Sequence, residues 1–200
     1  MFGRKTATES LFAWHGLLRV WRLVVRDTPA HAVDVAVGHL LMVDFRPDPI
    51  DLETPLRAEG SEWTARTVEI GDEVSVIARD FVNEVVAPVL RPAVPPTTVV
   101  VCARALDDGT CELVIAPQVV YGTTTGDRDL ANPRISRGAT SVIAAYEAVG
   151  GMLETETVRT MIRDVTCPAF PKRFRALVKA QRKAQREAQR FPAGGDPAQG

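Results

Sequence analysis

The chain is poor in cysteine and histidine, and it has no long apolar run. Its 200 residues include three cysteines, Cys102, Cys111 and Cys167, with no CxxC pair. An odd, sparse set of this kind argues against a disulfide framework or a structural zinc site and points to a reducing compartment. His15, His31 and His39 have neither HxxxH nor HExxH spacing, so no metal site is expected. There is no GxSxG, GxGxxG or Walker A motif, and no cofactor is implied. No uncharged apolar stretch approaches the roughly 18 residues of a membrane span. The opening MFGRKTATES also lacks the apolar core of a secretory signal. The expected location is the cytoplasm.

What the chain does have is a split of charge. Lys172 to Phe191 carries eight of the 24 basic residues and one acid, Glu187. Met1 to Pro171 carries 16 basic and 23 acidic residues, so a net charge of −1 hides an acidic body and a basic tail. Such tails meet nucleic acid, anionic surfaces or acidic partners. The candidate contacts are Lys172, Arg173, Arg175, Lys179, Arg182, Lys183, Arg186 and Arg190. Ala180-Gln181-Arg182, Ala184-Gln185-Arg186 and Ala188-Gln189-Arg190 form a four-residue repeat of good helix formers. At about 100° per residue, each step of four turns the row by about 40°. Phe174, Leu177 and Val178 offer an apolar anchor only at the start, so the later turns are expected to project into solvent. Pro192–Gly200 reads as a disordered end.

The apolar fraction, 46%, permits a sizeable core in one domain over residues 1–171, with a possible internal boundary at 91–96. Leu11–Asp27 reads as an amphipathic helix, since His15, Arg19, Arg22 and Arg26 lie four, three and four apart. Trp14 and Trp21 opposite that stripe also fit a peripheral helix on a membrane surface, and Val and Trp leave a strand at Arg19–Val25 open. Val33 to Phe45 alternates and reads as a strand. Arg46–Gly60, with three prolines, reads as an exposed loop, and Trp63–Ile70 as a strand. Asp72 is placed as the cap of a helix to about Leu90. Thr97–Leu106 and Cys111–Tyr121, around Asp107-Asp108-Gly109-Thr110, read as a hairpin buried on both faces. With Leu106 facing Thr110, Arg104 falls opposite Glu112 and Cys102 opposite Val114. Ser136 caps a helix to about Val149, Gly150-Gly151 ends it, and Thr155–Val165 is expected as another helix. The order predicts an α+β fold: a small mixed sheet around the central hairpin at about 97–121, packed helices and a protruding basic C-terminal helix.

Gly122–Arg137 is the best candidate for a chemical site. Thr123, Thr124 and Thr125, with Arg128, Arg134 and Arg137, supply the hydroxyls and guanidinium forks that a phosphate needs. Around this loop, Gly71-Asp72-Glu73-Val74, Arg91-Pro92-Ala93, Val99–Val101, Val114-Ile115-Ala116-Pro117 and Val120-Tyr121-Gly122-Thr123-Thr124 occur in order. That order resembles the MazF/PemK-type toxin barrels over about residues 70–125. The resemblance implies an endoribonuclease with Arg91 as its catalytic arginine and Thr123 or Thr124 nearby. Pro95-Pro96 and Gln118-Val119 depart from the family pattern. Three expectations therefore stand side by side. The first is a non-catalytic binding or adaptor protein contacting nucleic acid or an acidic protein through the tail. The second is an enzyme acting on a phosphate-containing substrate, and the third a peripheral membrane protein.

Overall fold

A computed structural model describes residues 17–71, 97–106, 109–118, 132–161, 168–169 and 174–190. The elements run in the order β1 (Leu17–Val25), α1 (Pro29–Leu41), β2 (Arg46–Pro47), α2 (Glu53–Ala58), β3 (Trp63–Ile70), β4 (Thr97–Ala105), β5 (Cys111–Gln118), α3 (Asn132–Ala148), β6 (Met152–Met161) and α4 (Phe174–Arg190). The strands form one sheet, β2-β3-β4-β5-β1-β6, in an α+β fold. The expected mixed sheet is antiparallel at every pairing. Among the described residues its order ends at β2 on one side and β6 on the other.

The hairpin forms as its residues require. Leu106 N–H donates to Thr110 O at 2.9 Å, Arg104 pairs with Glu112, and Cys102 with Val114. Every β5 residue is buried, and so are Thr97–Ala103 of β4. The reason is that both faces of the sheet are covered. On the first face, Trp21, Leu23, Val25, Val99, Val101, Leu113 and Ile115 pack beneath α1 and α3. On the second, Val100, Cys102, Val114 and Ala116 pack with Ile50, Leu52 and Leu56 around α2, and with Val178 of α4.

Several expectations are corrected. The amphipathic helix over Leu11–Asp27 gives way, over the described part, to strand β1, the alternative left open at Arg19–Val25. Trp21, Leu23 and Val25 point to one face and Arg22 to the other, with Trp21 only 5% exposed. The tryptophan face on which a membrane-surface role rested is, at Trp21, core. Val33–Phe45 is largely helix α1. Valine at every second position satisfied a strand period, but the buried set Ala32, Val33, Ala36 and Leu40 is helical. Thr28 caps this helix, its Oγ1 accepting the His31 N–H, and Pro29 supplies the first turn. Thr155–Val165 is not a helix where described: β6 runs to Met161, its threonines suiting a strand paired along β1. Arg46–Gly60 is not a bare loop but holds β2 and α2, burying Ile50, Leu52 and Leu56. The helix expected from Asp72 lies outside the described residues.

Helix α3 starts at Asn132, earlier than Ser136, and ends in a left-handed turn at Gly150 (φ 67°). Gly150 N–H donates to Glu147 O and Gly151 N–H to Tyr146 O, the paired bonds of a Schellman stop. Gly151 O then accepts the Arg26 N–H at 2.9 Å, tying that turn to the end of β1. Where α3 crosses α1, a Cβ on Gly138 would stand 2.6 Å from Leu40 Cδ2, so a larger residue there requires the buried Leu40 side chain to shift.

Candidate nucleic-acid interface

Helix α4 lies on the second face, held along one side. Val178 is fully buried and Leu177 half-buried at its start. The next turns are held by polar groups. Gln181 Oε1 accepts the Asp51 N–H at 2.9 Å while its Nε2 donates to Asp51 O at 2.7 Å. Gln185 Nε2 donates to Pro49 O at 3.3 Å. Arg182 Nη2 donates to Thr98 Oγ1 at 3.0 Å and stands 3.5 Å from Asp48 Oδ2 and 3.6 Å from Glu69 Oε2. Helix geometry explains the choice of residues. Positions 178, 181, 182 and 185 recur at intervals of three and four and share one face.

The Asp48 side chain is 1% exposed, the most buried charge in this seam. Its Oδ1 accepts the Ile50 N–H and its Oδ2 the Thr98 hydroxyl. Burial holds its carboxyl above the usual range, against the opposing pull of Arg182. Arg46 bonds Glu69 Oε1 at 2.8 Å and Gly71 O at 3.1 Å, closing the outer side of the same cluster. Gln118 pairs with Thr98 across β4 and β5; among the described residues its Nε2 is the buried side-chain nitrogen without a partner.

The same face carries a second charge network away from α4. Glu112 accepts from Arg22 Nε at 3.0 Å and from Arg104 Nε at 2.7 Å. Arg22 continues to Glu156 at 3.4 Å, and Arg104 to Glu62 at 2.8 Å. Acids and bases thus alternate from β6 across β1, β5 and β4 to the start of β3. Arg104 also lies over the Trp63 ring, 5.0 Å from its centroid.

The structure separates the basic residues singled out above. Lys179, Lys183 and Arg186 are exposed on α4, with Lys183 near Glu187 at 3.8 Å. Arg182 is turned inward. The four-residue repeat explains this, because the row of 182, 186 and 190 rotates by about 40° per step and so leaves the seam after its first member. Arg175 and Arg190 belong to α4, while Lys172 and Arg173 lie outside the described residues. Of the phosphate-loop candidates, Arg134 and Arg137 lie on α3. Arg134 Nε is 4.0 Å from Asp44 Oδ2, and Arg137 is exposed. Thr123, Thr124, Thr125, Arg128 and Arg91 lie outside the described residues.

Sequence reasoning passed over Asp48, Glu69, Thr98, Gln181 and Gln185. One signal was present: the glutamines continue the row of four begun by Leu177, beside Val178, and a row that starts against the core marks the side that docks. Nothing in the sequence near Asp48 points to Arg182, 134 residues away. Two histidines are likewise committed within the fold: His39 Nδ1 meets Ser141 Oγ at 2.7 Å, and His31 Nδ1 meets Asp27 Oδ2 at 2.7 Å. Among the described residues, no group of three His, Cys, Asp or Glu is placed to hold a metal ion, and no helix is long and apolar enough to cross a membrane. No family model, curated protein or solved structure matches the chain.

Proposed function

We propose that the chain is a non-catalytic binding protein that presents α4 to the phosphate backbone of a nucleic acid. The observation that carries this reading is that α4 is held by one face while its cationic positions gather on a flank. Positions 175, 179, 183, 186 and 190 fall within about 80° of arc on an ideal helix. They extend over about 22 Å of its length. A helix bound through Val178, Gln181, Arg182 and Gln185 keeps those cations in register, so less side-chain and backbone freedom is lost when a polyanion binds. Lysine and arginine neutralise phosphates without reading sequence, so the expected mode is backbone contact rather than base recognition. Arg182 leaves the contact set and becomes a residue that positions the helix. Cys102 and Cys111 are both buried and neither is joined in a disulfide, which suits work in a reducing cytoplasm.

The test is fluorescence anisotropy with duplex DNA and duplex RNA over a range of salt. The full chain is compared with the triple variant Lys179→Gln, Lys183→Gln, Arg186→Gln. Loss of three phosphate contacts should flatten the slope of log K against log salt by about 2.7 on B-form DNA. A full chain that binds neither duplex, or a slope that the triple variant leaves unchanged, refutes the reading. Binding only to acidic proteins would transfer the flank to an acidic partner.

A further inference from the structure

We infer that β6 is the edge through which two copies of this chain join their sheets, strand against antiparallel strand. The two ends of the sheet differ. At one end β3 is paired by the short β2, which contains Pro47, and the Asp48 N–H beyond it still bonds Thr67 O. Proline and brevity blunt an edge. At the other end, β6 is ten residues long and pairs only with β1, and among the described residues nothing lies on its outer side. Leu153 to Val158 are all exposed, with Leu153 at 42% and Val158 at 36%. A long strand with unused backbone donors and acceptors is a template for another strand.

Among registers centred on Thr155, Glu156 and Thr157, the side chains favour the last for a second copy. A two-fold axis normal to the sheet reverses the strand but keeps each face on its own side, so residues of like parity meet. Pairing centred on Thr155 would oppose Glu154 and Glu156, and pairing centred on Glu156 would set that residue against itself; like charges directly opposite are unfavourable. Centring on Thr157 sets Thr157 beside its own symmetry copy and Glu156 opposite Val158. Threonine pairs of this kind stabilise a sheet. Behind the edge, Arg22 lies 3.4 Å from Glu156 and offsets that charge in each copy. Because the β2 end is blunted, joining through β6 closes at two copies and does not propagate.

The experiment uses the full chain. Light scattering coupled to size exclusion should give twice the chain mass at micromolar concentration. Thr157→Cys and Thr155→Cys, on the same face of the same strand, are then oxidised beside the unmodified chain. Opposed residues of an antiparallel pair have Cα atoms roughly 4.5–5.5 Å apart, within disulfide range. In the Thr157-centred register the two Thr155 positions lie about 14 Å apart. Thr157→Cys should therefore form a covalent dimer well ahead of Thr155→Cys and of the unmodified chain. A monomer at every concentration overturns the inference, including one whose β6 amide signals shift only when an extended basic peptide is added. A dimer in which Thr157→Cys has no advantage overturns the edge and register assignment.

Discussion

Glu112→Gln tests the electrostatic account of the second face. The Glu112 side chain is 8% exposed and accepts three N–H groups, two from Arg22 and one from Arg104. Glutamine keeps the volume but removes the charge and turns an amide N–H₂ toward a guanidinium. Removing one partner of a buried ion pair costs about 3–5 kcal/mol. The full figure does not apply, because the Arg22 and Arg104 side chains are 51% and 35% exposed and each retains a second carboxylate. The expected loss at pH 7 is about 2 kcal/mol, or about 4–8 °C in Tm for a chain of this size. The pH dependence follows from direction. Burial pushes the Glu112 carboxyl up, but the hydrogen bonds and charges of Arg22 and Arg104 outweigh it and hold the group below its ordinary range. A carboxylate lowered in the folded state stabilises fully above its unfolded pKa and loses that contribution as pH falls through the folded value. Urea melts of the two proteins should therefore differ at pH 7 and converge on acidification. Equal stability at pH 7, or a gap that persists once the carboxylate is protonated, would refute the reasoning.

Asp48→Asn should behave differently although Asp48 is more deeply buried. Its carboxyl is raised by burial, so the native protein gains stability from this group as pH falls through the folded pKa, and at pH 7 the variant should lose less than Glu112→Gln in the same urea melts. A larger loss would mean that Arg182, not burial, dominates the site. Gly138→Ala should destabilise despite alanine's better helix propensity, because the new Cβ meets the fully buried Leu40; overpacking costs of about 1–3 kcal/mol against a gain of about 1 predict a net loss in chemical denaturation. An alanine variant as stable as the parent would show that Leu40 relaxes freely.

The parts legible in advance were those whose causes are local. The β4–β5 hairpin carries its turn signal, its apolar arms and the Arg104–Glu112 pair within about twenty residues, and strand β3 announces itself by its β-branched residues. Helix α1 was misread because valines at alternate positions satisfy a strand period, while its buried alanines, Ala32 and Ala36, carry little hydrophobic signal. At β1 the strand left open at Arg19–Val25 is the one the fold takes; the helix reading competed with it because Arg19, Arg22 and Arg26 also keep a helical spacing, and Arg22 finds its counter-charge at Glu112, 90 residues on. Strand β6 was misread because Glu and Thr at an open edge have no apolar partner to reveal the period of two. At the interface, the cationic stripe was visible from composition. The seam beneath it was not, since Asp48, Thr98 and Glu69 meet Arg182 only after the sheet exists.

The interior position of β1, between β5 and β6, has a consequence for synthesis. It is the first described strand made, yet its neighbours are β5 and β6, with Trp21 meeting Ile115 and Thr157. At about 5–20 residues per second, the ribosome needs roughly 5–20 s after Trp21 to reach Ile115, and longer to reach β6. Throughout that interval Trp21, Leu23 and Val25 have no sheet to enter. The nascent chain must therefore hold an apolar strand open until β5 has emerged, which gives β1 a longer exposure to misassembly than the neighbouring β4 and β5, which pair within one hairpin.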